Sequence, residues 1–168
     1  TGKMGEFRDL TDETLKTVGP ILFITAAGGV LGKIISTAGF VDYMSENAAF
    51  LSSVGIFFPF LIAAILKSAQ GSSTVAITTT AGIMGAISES GSMMAALGLT
   101  SPVAAALTVM AIGAGAMTVS HANDSYFWVV TNFGELKAQD GYKTQTMLTL
   151  LMGVAAMIFI WILSLILI

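Results

Sequence analysis

The chain contains no cysteine, which excludes disulfide bonds, thiolate nucleophiles and cysteine-based metal sites. Charge is also scarce, because 10% of the 168 residues are charged, against roughly 25% in an ordinary soluble domain. No run of lysine or arginine occurs and the net charge is only -3, so we expect no nucleic-acid partner. The single histidine forms no metal-binding pair and no nucleotide-binding motif occurs, so we expect neither a metal nor a cofactor.

Hydrophobic residues make up 55% of the chain and form several stretches long enough to cross a hydrocarbon layer of about 30 Å. The last of these, "LLMGVAAMIFIWILSLILI", does not alternate apolar with polar residues, which excludes an outer-membrane barrel. The pattern therefore predicts an all-α integral membrane protein with a single domain over 1–168. Its expected parts are a polar loop over 1–17, a span over 18–40, a helical hairpin over 51–88, a broken span over 102–133 and a span over 144–168.

The two ends of the sequence indicate a fragment. The chain starts with "TGKMGEF" and has neither an initiator methionine nor a signal peptide. It stops at Ile168, which still lies within an apolar stretch. We therefore expect the rest of the protein to lie mainly upstream of residue 1.

Two polar interruptions, "AQGSST" and "SHAND", occur within apolar stretches. Backbone that is not helical is costly at membrane depth and survives there only where it lines a cavity or is packed in protein. Each interruption is followed by a new helix, whose free N–H groups and partial positive charge favour an anion. Side chains that can cap the new helices stand at both places: Ser72, Ser73 and Thr74 in the first, and Asn123, Asp124 and Ser125 in the second.

Two interpretations of the first interruption stay open at this point. Lys67 and "AQGSST" can form the tip of a re-entrant hairpin, in which Lys67 is an intramembrane cation that faces a substrate anion. They can also form a surface turn between two full spans, in which Lys67 extends its amine to the headgroups. The hairpin is favoured because discontinuous helices that meet near the midplane are typical of secondary transporters.

The second interruption carries the only histidine, His121, and the carboxylate of Asp124. Intramembrane ionisable groups usually mark an ion or substrate path, although a single histidine can also be a satisfied core residue. Asp124 lies three residues beyond His121, so we expect the two to pair and either of them to exchange protons.

The sequence disfavours two other function classes. An intramembrane hydrolase is disfavoured because Ser120, His121 and Asp124 are too close in sequence to form a triad, and "QGSST" lacks the nucleophile elbow. A channel needs a continuous wet path, whereas two interruptions around one site favour alternating access. A counterflow assay separates a carrier from a channel.

Three segments, "AAGGVLGKIISTAGFVDYM", "ILKSAQGSSTVAITTTAGI" and "GAGAMTVSHANDSYFWVV", resemble in this order the C-terminal half of the gluconate permease family, the gluconate:proton symporters. The residues that match the family's motifs are Lys67, Gly71, Ser72, Ser73, Thr74, Ser120, His121, Asn123, Asp124 and Trp128. The resemblance implies a fold of two inverted repeats, each with a re-entrant hairpin and a broken helix, and it implies proton-driven uptake of a sugar acid. The present chain is then one repeat, and the missing N-terminal half is its partner.

The sequence thus predicts an inner-membrane, multi-pass symporter of gluconate or a related small hydroxy acid, and no enzyme. A channel-type or sodium-coupled carrier of small carboxylates is the alternative, and homo-oligomer formation stays open. Protons and membrane lipid are the other expected partners. The expected substrate-binding residues are Lys67, Gln70, Gly71, Ser72, Ser73, Thr74, Ser120, Asn123 and Ser125. The expected proton-coupling residues are His121 and Asp124.

Overall fold

The computed structural model describes residues 4–16, 34, 38–39, 54–88 and 92–168. Within these ranges every regular element is a helix, which confirms the all-α prediction. The expected span over 18–40 lies outside the described residues, apart from positions 34, 38 and 39. The same holds for the start of the expected hairpin, residues 51–53.

Residues 4–16 form helix α1, so the prediction of a polar loop over 1–17 is wrong for this stretch. Met4, Phe7 and Leu10 recur at every third position, which places them on one face of a helix. The hydroxyls of Thr11 and Thr14 donate to the carbonyls of Phe7 and Leu10, both at 2.7 Å. The charged residues of the segment favour a loop, whereas the apolar spacing favours the helix that forms.

The expected hairpin contains two consecutive helices, α2 (Phe57–Gln70) and α3 (Ser73–Met84), which pack against each other. A single turn of helix, α4 (Met93–Ala96), follows them. At 1.5 Å per residue, α2 is roughly 21 Å long and α3 roughly 18 Å. Both helices are therefore shorter than the hydrocarbon layer of a bilayer, which is about 30 Å thick.

The expected broken span consists of α5 (Pro102–Met117) and α6 (Ser125–Phe133), separated by residues 118–124. The last helix, α7 (Ala138–Leu167), contains a π-helical turn at Tyr142–Thr146. It starts six residues before the predicted boundary, and Asp140 in its first turn favours this start. Among the described helices, α7 alone is long and apolar enough to cross a membrane.

The core lies where α5 packs between α2 and α7. Small residues permit this close approach, since a side chain at Gly115 would overlap the Phe60 carbonyl of α2. A side chain at Gly153 of α7 would likewise overlap the Thr118 hydroxyl. The other face of α7 exposes large apolar residues such as Leu151 and Phe159, as expected of a surface in contact with lipid.

Candidate functional site

The first interruption is closed by groups of its own segment. Gly71 ends α2 with φ +82°, a left-handed conformation that favours glycine, and its N–H donates to the Lys67 carbonyl at 2.8 Å. Ser72 then caps α3, because its hydroxyl accepts from the Val75 N–H at 3.3 Å. Gln70 donates from Nε2 to the Ser72 carbonyl at 2.8 Å. Residues of this segment therefore supply the turn and the helix cap themselves.

The second interruption is more irregular. Val119 adopts φ +61°, a left-handed conformation that is strained for a β-branched residue. Asp124 caps α6, since its Oδ1 accepts from the Tyr126 N–H at 3.0 Å. Trp128 on α6 donates from its indole nitrogen back to the Ala122 carbonyl at 2.8 Å. Of the three expected capping residues at each interruption, Ser72 caps the helix after the first and Asp124 caps the helix after the second.

The two interruptions lie directly against each other. A side chain at Gly71 would overlap the Asn123 carbonyl, so only glycine permits this contact. Asn123 donates from Nδ2 to the Ser68 carbonyl at 2.8 Å. The His121 Nε2 lies 3.0 Å from the same carbonyl oxygen. The structure therefore brings residues 68–72 and 120–124 together, with hydrogen-bonded residues 53 and 55 positions apart in the sequence.

A buried ion pair stands at this junction. Lys67 is 2% exposed and Asp124 is 5% exposed, and the distance from Nζ to Oδ2 is 2.6 Å. Lys67 also donates to the Gly71 carbonyl, and Ser120 donates to Asp124 Oδ2, both at 2.6 Å. Breaking a buried pair by removing one partner leaves an uncompensated charge, which is strongly destabilising. Each charge at this junction therefore depends on the presence of the other.

The expectation that Lys67 faces a substrate anion stays a prediction. The expected pairing of His121 with Asp124 is wrong. Instead the Asp124 carboxylate binds Lys67 and Ser120, while His121 contacts the end of α2. A spacing of three residues brings two side chains together only in a helix, and α6 starts only at Ser125.

Helix α7 holds the unwound backbone at Ser120 from the other side. The Thr146 hydroxyl donates to the Ser120 carbonyl at 2.7 Å, and the Ser120 N–H donates to the Thr149 hydroxyl at 3.0 Å. Backbone groups that α5 no longer satisfies thus find side-chain partners on another helix. The sequence analysis missed these threonines, although polar side chains at 144–149 of an otherwise apolar helix are a usable signal.

A cavity of about 380 Å³ adjoins the ion pair. This volume lies within the range of roughly 300–1,000 Å³ that is typical of small-molecule sites. Polar groups and apolar groups both line it: Lys67, Ser73, Ser120, Asp124, Tyr126, Gln145 and Thr149, with Met117, Leu148 and Met152. Its polar lining suits a small ligand that carries charge and hydroxyl groups.

The cavity includes some of the expected substrate-binding residues but not others. Lys67, Ser73 and Ser120 line it, and Gly71 and Asn123 form the contact between the interruptions. Gln70 and Ser72 instead bond to each other within the first turn. Thr74 and Ser125 are exposed at the starts of α3 and α6 and are not part of the lining. Among the described residues, no group of three His, Asp or Glu side chains could hold a metal ion.

An all-helical fold in which two helix interruptions enclose a buried ion pair beside a cavity of ligand size is typical of membrane transport proteins. The chain belongs to the GntP permease family, because the model described as "GntP family permease" matches residues 2–166. This confirms the resemblance noted in the sequence. The family consists of integral inner-membrane transporters, so the chain is an inner-membrane protein and no enzyme.

Individual relatives are similar over nearly the whole chain. The gluconate permease of Bacillus subtilis is 33% identical over 158 residues, which are 94% of this chain and 33% of the relative. The inner membrane permease YgbN of Escherichia coli is 31% identical over 153 residues, 91% of this chain and 32% of the relative. The Gnt-II system L-idonate transporter of Escherichia coli is 26% identical over 153 residues, 91% of this chain and 33% of the relative.

The chain spans about a third of the length of the curated relatives it matches. The matched region is the C-terminal part of these proteins. No solved structure matches the chain.

Proposed function

We propose that this chain forms the C-terminal repeat of a secondary active transporter that moves gluconate, or a related small hydroxy or sugar acid, by proton symport across the inner membrane. The single observation that carries the proposal is the buried pair of Lys67 and Asp124, which joins the two helix interruptions and lines the cavity. A fixed cation beside a cavity is suited to bind a carboxylate, and an adjacent carboxylate is suited to bind a proton.

Substrate binding is coupled to proton binding if the substrate carboxylate displaces Asp124 from Lys67. The substrate carboxylate takes the place of Asp124 at the Lys67 ammonium, which keeps a buried counterion throughout. Asp124 is then left without its cation and binds a proton, so that anion binding and protonation favour each other. Ser120 stays within reach of Asp124 in either state, since its hydroxyl can donate to a carboxylate or accept from a carboxylic acid.

The starts of α3 and α6 add to the attraction for an anion. Both helices begin at the junction, and the free N–H groups of a helix N-terminus favour negative charge. Ser73 stands at the first position of α3 and also lines the cavity, which makes it the hydroxyl of the first interruption best placed to contact the substrate.

The names of two relatives support a sugar acid as the substrate. One relative is named for gluconate and another for L-idonate, and both compounds are carboxylates with several hydroxyl groups. A cavity of about 380 Å³ with one cation and several hydrogen-bonding side chains suits such a molecule better than a purely apolar acid.

The lengths of α2 and α3 support a re-entrant hairpin. Neither helix is long enough to cross the hydrocarbon layer, and their junction contains a buried charged residue instead of an exposed turn. We therefore propose that the tip of this hairpin lies within the membrane, that the chain is one of two inverted repeats, and that an N-terminal repeat completes the transporter.

The test is the uptake of labelled sugar acids by vesicles that contain the protein, with and without an imposed pH gradient. We expect gluconate to accumulate only with the gradient. The Asp124→Asn variant should lose this accumulation but keep the exchange of labelled for unlabelled gluconate, because the amide cannot bind the coupling proton. His121→Gln serves as the matched comparison and should still accumulate gluconate.

Three outcomes would contradict the proposal. Accumulation driven by a sodium gradient alone would indicate a sodium-coupled carrier. Uptake without counterflow would indicate a channel. Intact accumulation by Asp124→Asn would remove Asp124 from proton coupling and would leave His121 as the residue to test.

A further inference from the structure

We propose that Gln145 on α7 binds the hydroxyl groups of the substrate and thereby sets the preference for polyhydroxy acids over simple carboxylates. This inference rests on the proposed function, because it assigns a residue to the same site. It concerns a helix that the sequence analysis treated only as an apolar span.

The burial of Gln145 is the first observation. Its side chain lines the cavity beside the ion pair, and the residue is 8% exposed. An amide offers one acceptor oxygen and two N–H donors, so it has several bonds to make. Within the part of the chain that the structure describes, the amide of Gln145 has no hydrogen-bond partner.

The other well-buried polar residues of the cavity, Lys67, Ser120 and Asp124, are already engaged, and so is Thr149. The Ser120 hydroxyl donates to Asp124, and the Thr149 hydroxyl accepts from the Ser120 N–H while it donates to carbonyls of its own helix. Lys67 uses one donor on Asp124 and another on Gly71. Gln145 is therefore the well-buried lining residue whose full hydrogen-bonding capacity is left for a ligand.

The position of Gln145 on α7 explains why it faces inward. Thr149, Gly153 and Met157 follow Gln145 at intervals of four residues, and this face of α7 packs against α5. Gln145 also lies in the π-helical turn Tyr142–Thr146, and such turns inside α-helices are frequent at functional sites. A polar residue on the packed face of a membrane helix, without a protein partner, needs a ligand or water to satisfy it.

Two residues of the site then recognise two different parts of the substrate. Lys67 binds the carboxylate that all substrates of the class share, whereas the Gln145 amide can donate to and accept from hydroxyls that only some of them carry. A site built to hydrogen-bond a substrate hydroxyl discriminates strongly against analogues that lack it.

The experiment compares Gln145→Leu, which keeps the side-chain size but removes the hydrogen bonds, with the control Gln139→Leu in the exposed first turn of α7. Labelled gluconate uptake is measured in vesicles and is competed with unlabelled gluconate and with unlabelled propionate, which has the carboxylate but no hydroxyl. For Gln145→Leu we expect at least a tenfold rise in the gluconate concentration at half-maximal uptake. The concentration of propionate needed for half-inhibition should change less than threefold.

A second readout separates ligand binding from a structural role. Because Gln145→Leu removes a buried polar group that has no protein partner, its unfolding temperature in detergent should equal or exceed that of the parent protein. A lower unfolding temperature, an equal loss for both acids, or an unchanged gluconate affinity would overturn the inference. If the parent protein takes up no sugar acid at all, the proposed transport function fails, and the inference about Gln145 fails with it. If the parent protein takes up gluconate and one of the results above is found, only the inference fails.

Discussion

Both helix interruptions end one helix and start the next, but different interactions stabilise them. At the first, Gly71 supplies the left-handed turn and Ser72 supplies the cap, so the segment largely satisfies itself. At the second, Val119 takes a strained left-handed conformation, and the backbone of Ser120 relies on Thr146 and Thr149 of α7. The turn and the cap of the first interruption are thus fixed locally, whereas the backbone of the second depends on α7.

This difference indicates which part of the site can respond to the substrate. An element whose geometry depends on neighbouring helices and on one ion pair can change when those contacts change, as transport requires. We therefore expect the second interruption to move between states and the first to act as the rigid support.

The largest effect should come from breaking the ion pair that joins the two interruptions. Asp124→Ala leaves the Lys67 ammonium buried without a counterion, which should lower the free energy of unfolding by about 3–5 kcal/mol. The double variant Lys67→Met with Asp124→Asn carries no unpaired charge and should recover most of this loss. Denaturant unfolding in detergent micelles measures both variants. Equal destabilisation of the single and the double variant would show that the charges do not depend on each other.

The contact between the interruptions can be separated from the turn itself with two glycines. Gly71 and Gly98 have similar left-handed conformations, with φ +82° and +71°, but only a side chain at Gly71 would meet Asn123. Both alanine variants should lose about 1–2 kcal/mol from backbone strain. Gly71→Ala should lose about 1–3 kcal/mol more from overpacking, together with gluconate uptake. Similar uptake by the two variants would show that the close approach at Asn123 is not required.

The smallest effects should come from single hydrogen bonds, one within the first interruption and one between the second interruption and α7. Thr149→Val removes the acceptor of the Ser120 N–H and should cost about 1–3 kcal/mol, the penalty for an unsatisfied buried donor. Ser72→Ala removes a helix cap at the first interruption and should cost about 1 kcal/mol. Hydrogen exchange should show faster opening at 118–124 in Thr149→Val and no change there in Ser72→Ala. Equal exchange in the two variants would remove the contrast between the interruptions.

The places where the helices break could be predicted from the sequence, and the contacts between them could not. "AQGSST" and "SHAND" stand out because small polar residues interrupt apolar stretches, and the capping preferences limit the helix starts to three candidates each. The pairing of Lys67 with Asp124 joins positions 57 residues apart, and no local pattern specifies it. The sequence does not single out Gln145 and Thr149, because α7 is predicted as a span from its lack of charged residues. Uncharged polar residues such as glutamine and threonine do not weaken that prediction.

The most direct test of the central claim measures whether an anion occupies the cavity between the interruptions. The chain has no cysteine, so Ser73→Cys introduces a single thiol into the cavity lining, and Thr74→Cys places one on the exposed side of α3. Gluconate should slow the modification of Ser73→Cys by a soluble thiol reagent in a concentration-dependent manner and leave Thr74→Cys unaffected. Equal modification rates of Ser73→Cys with and without saturating gluconate, in protein that transports it, would contradict the account.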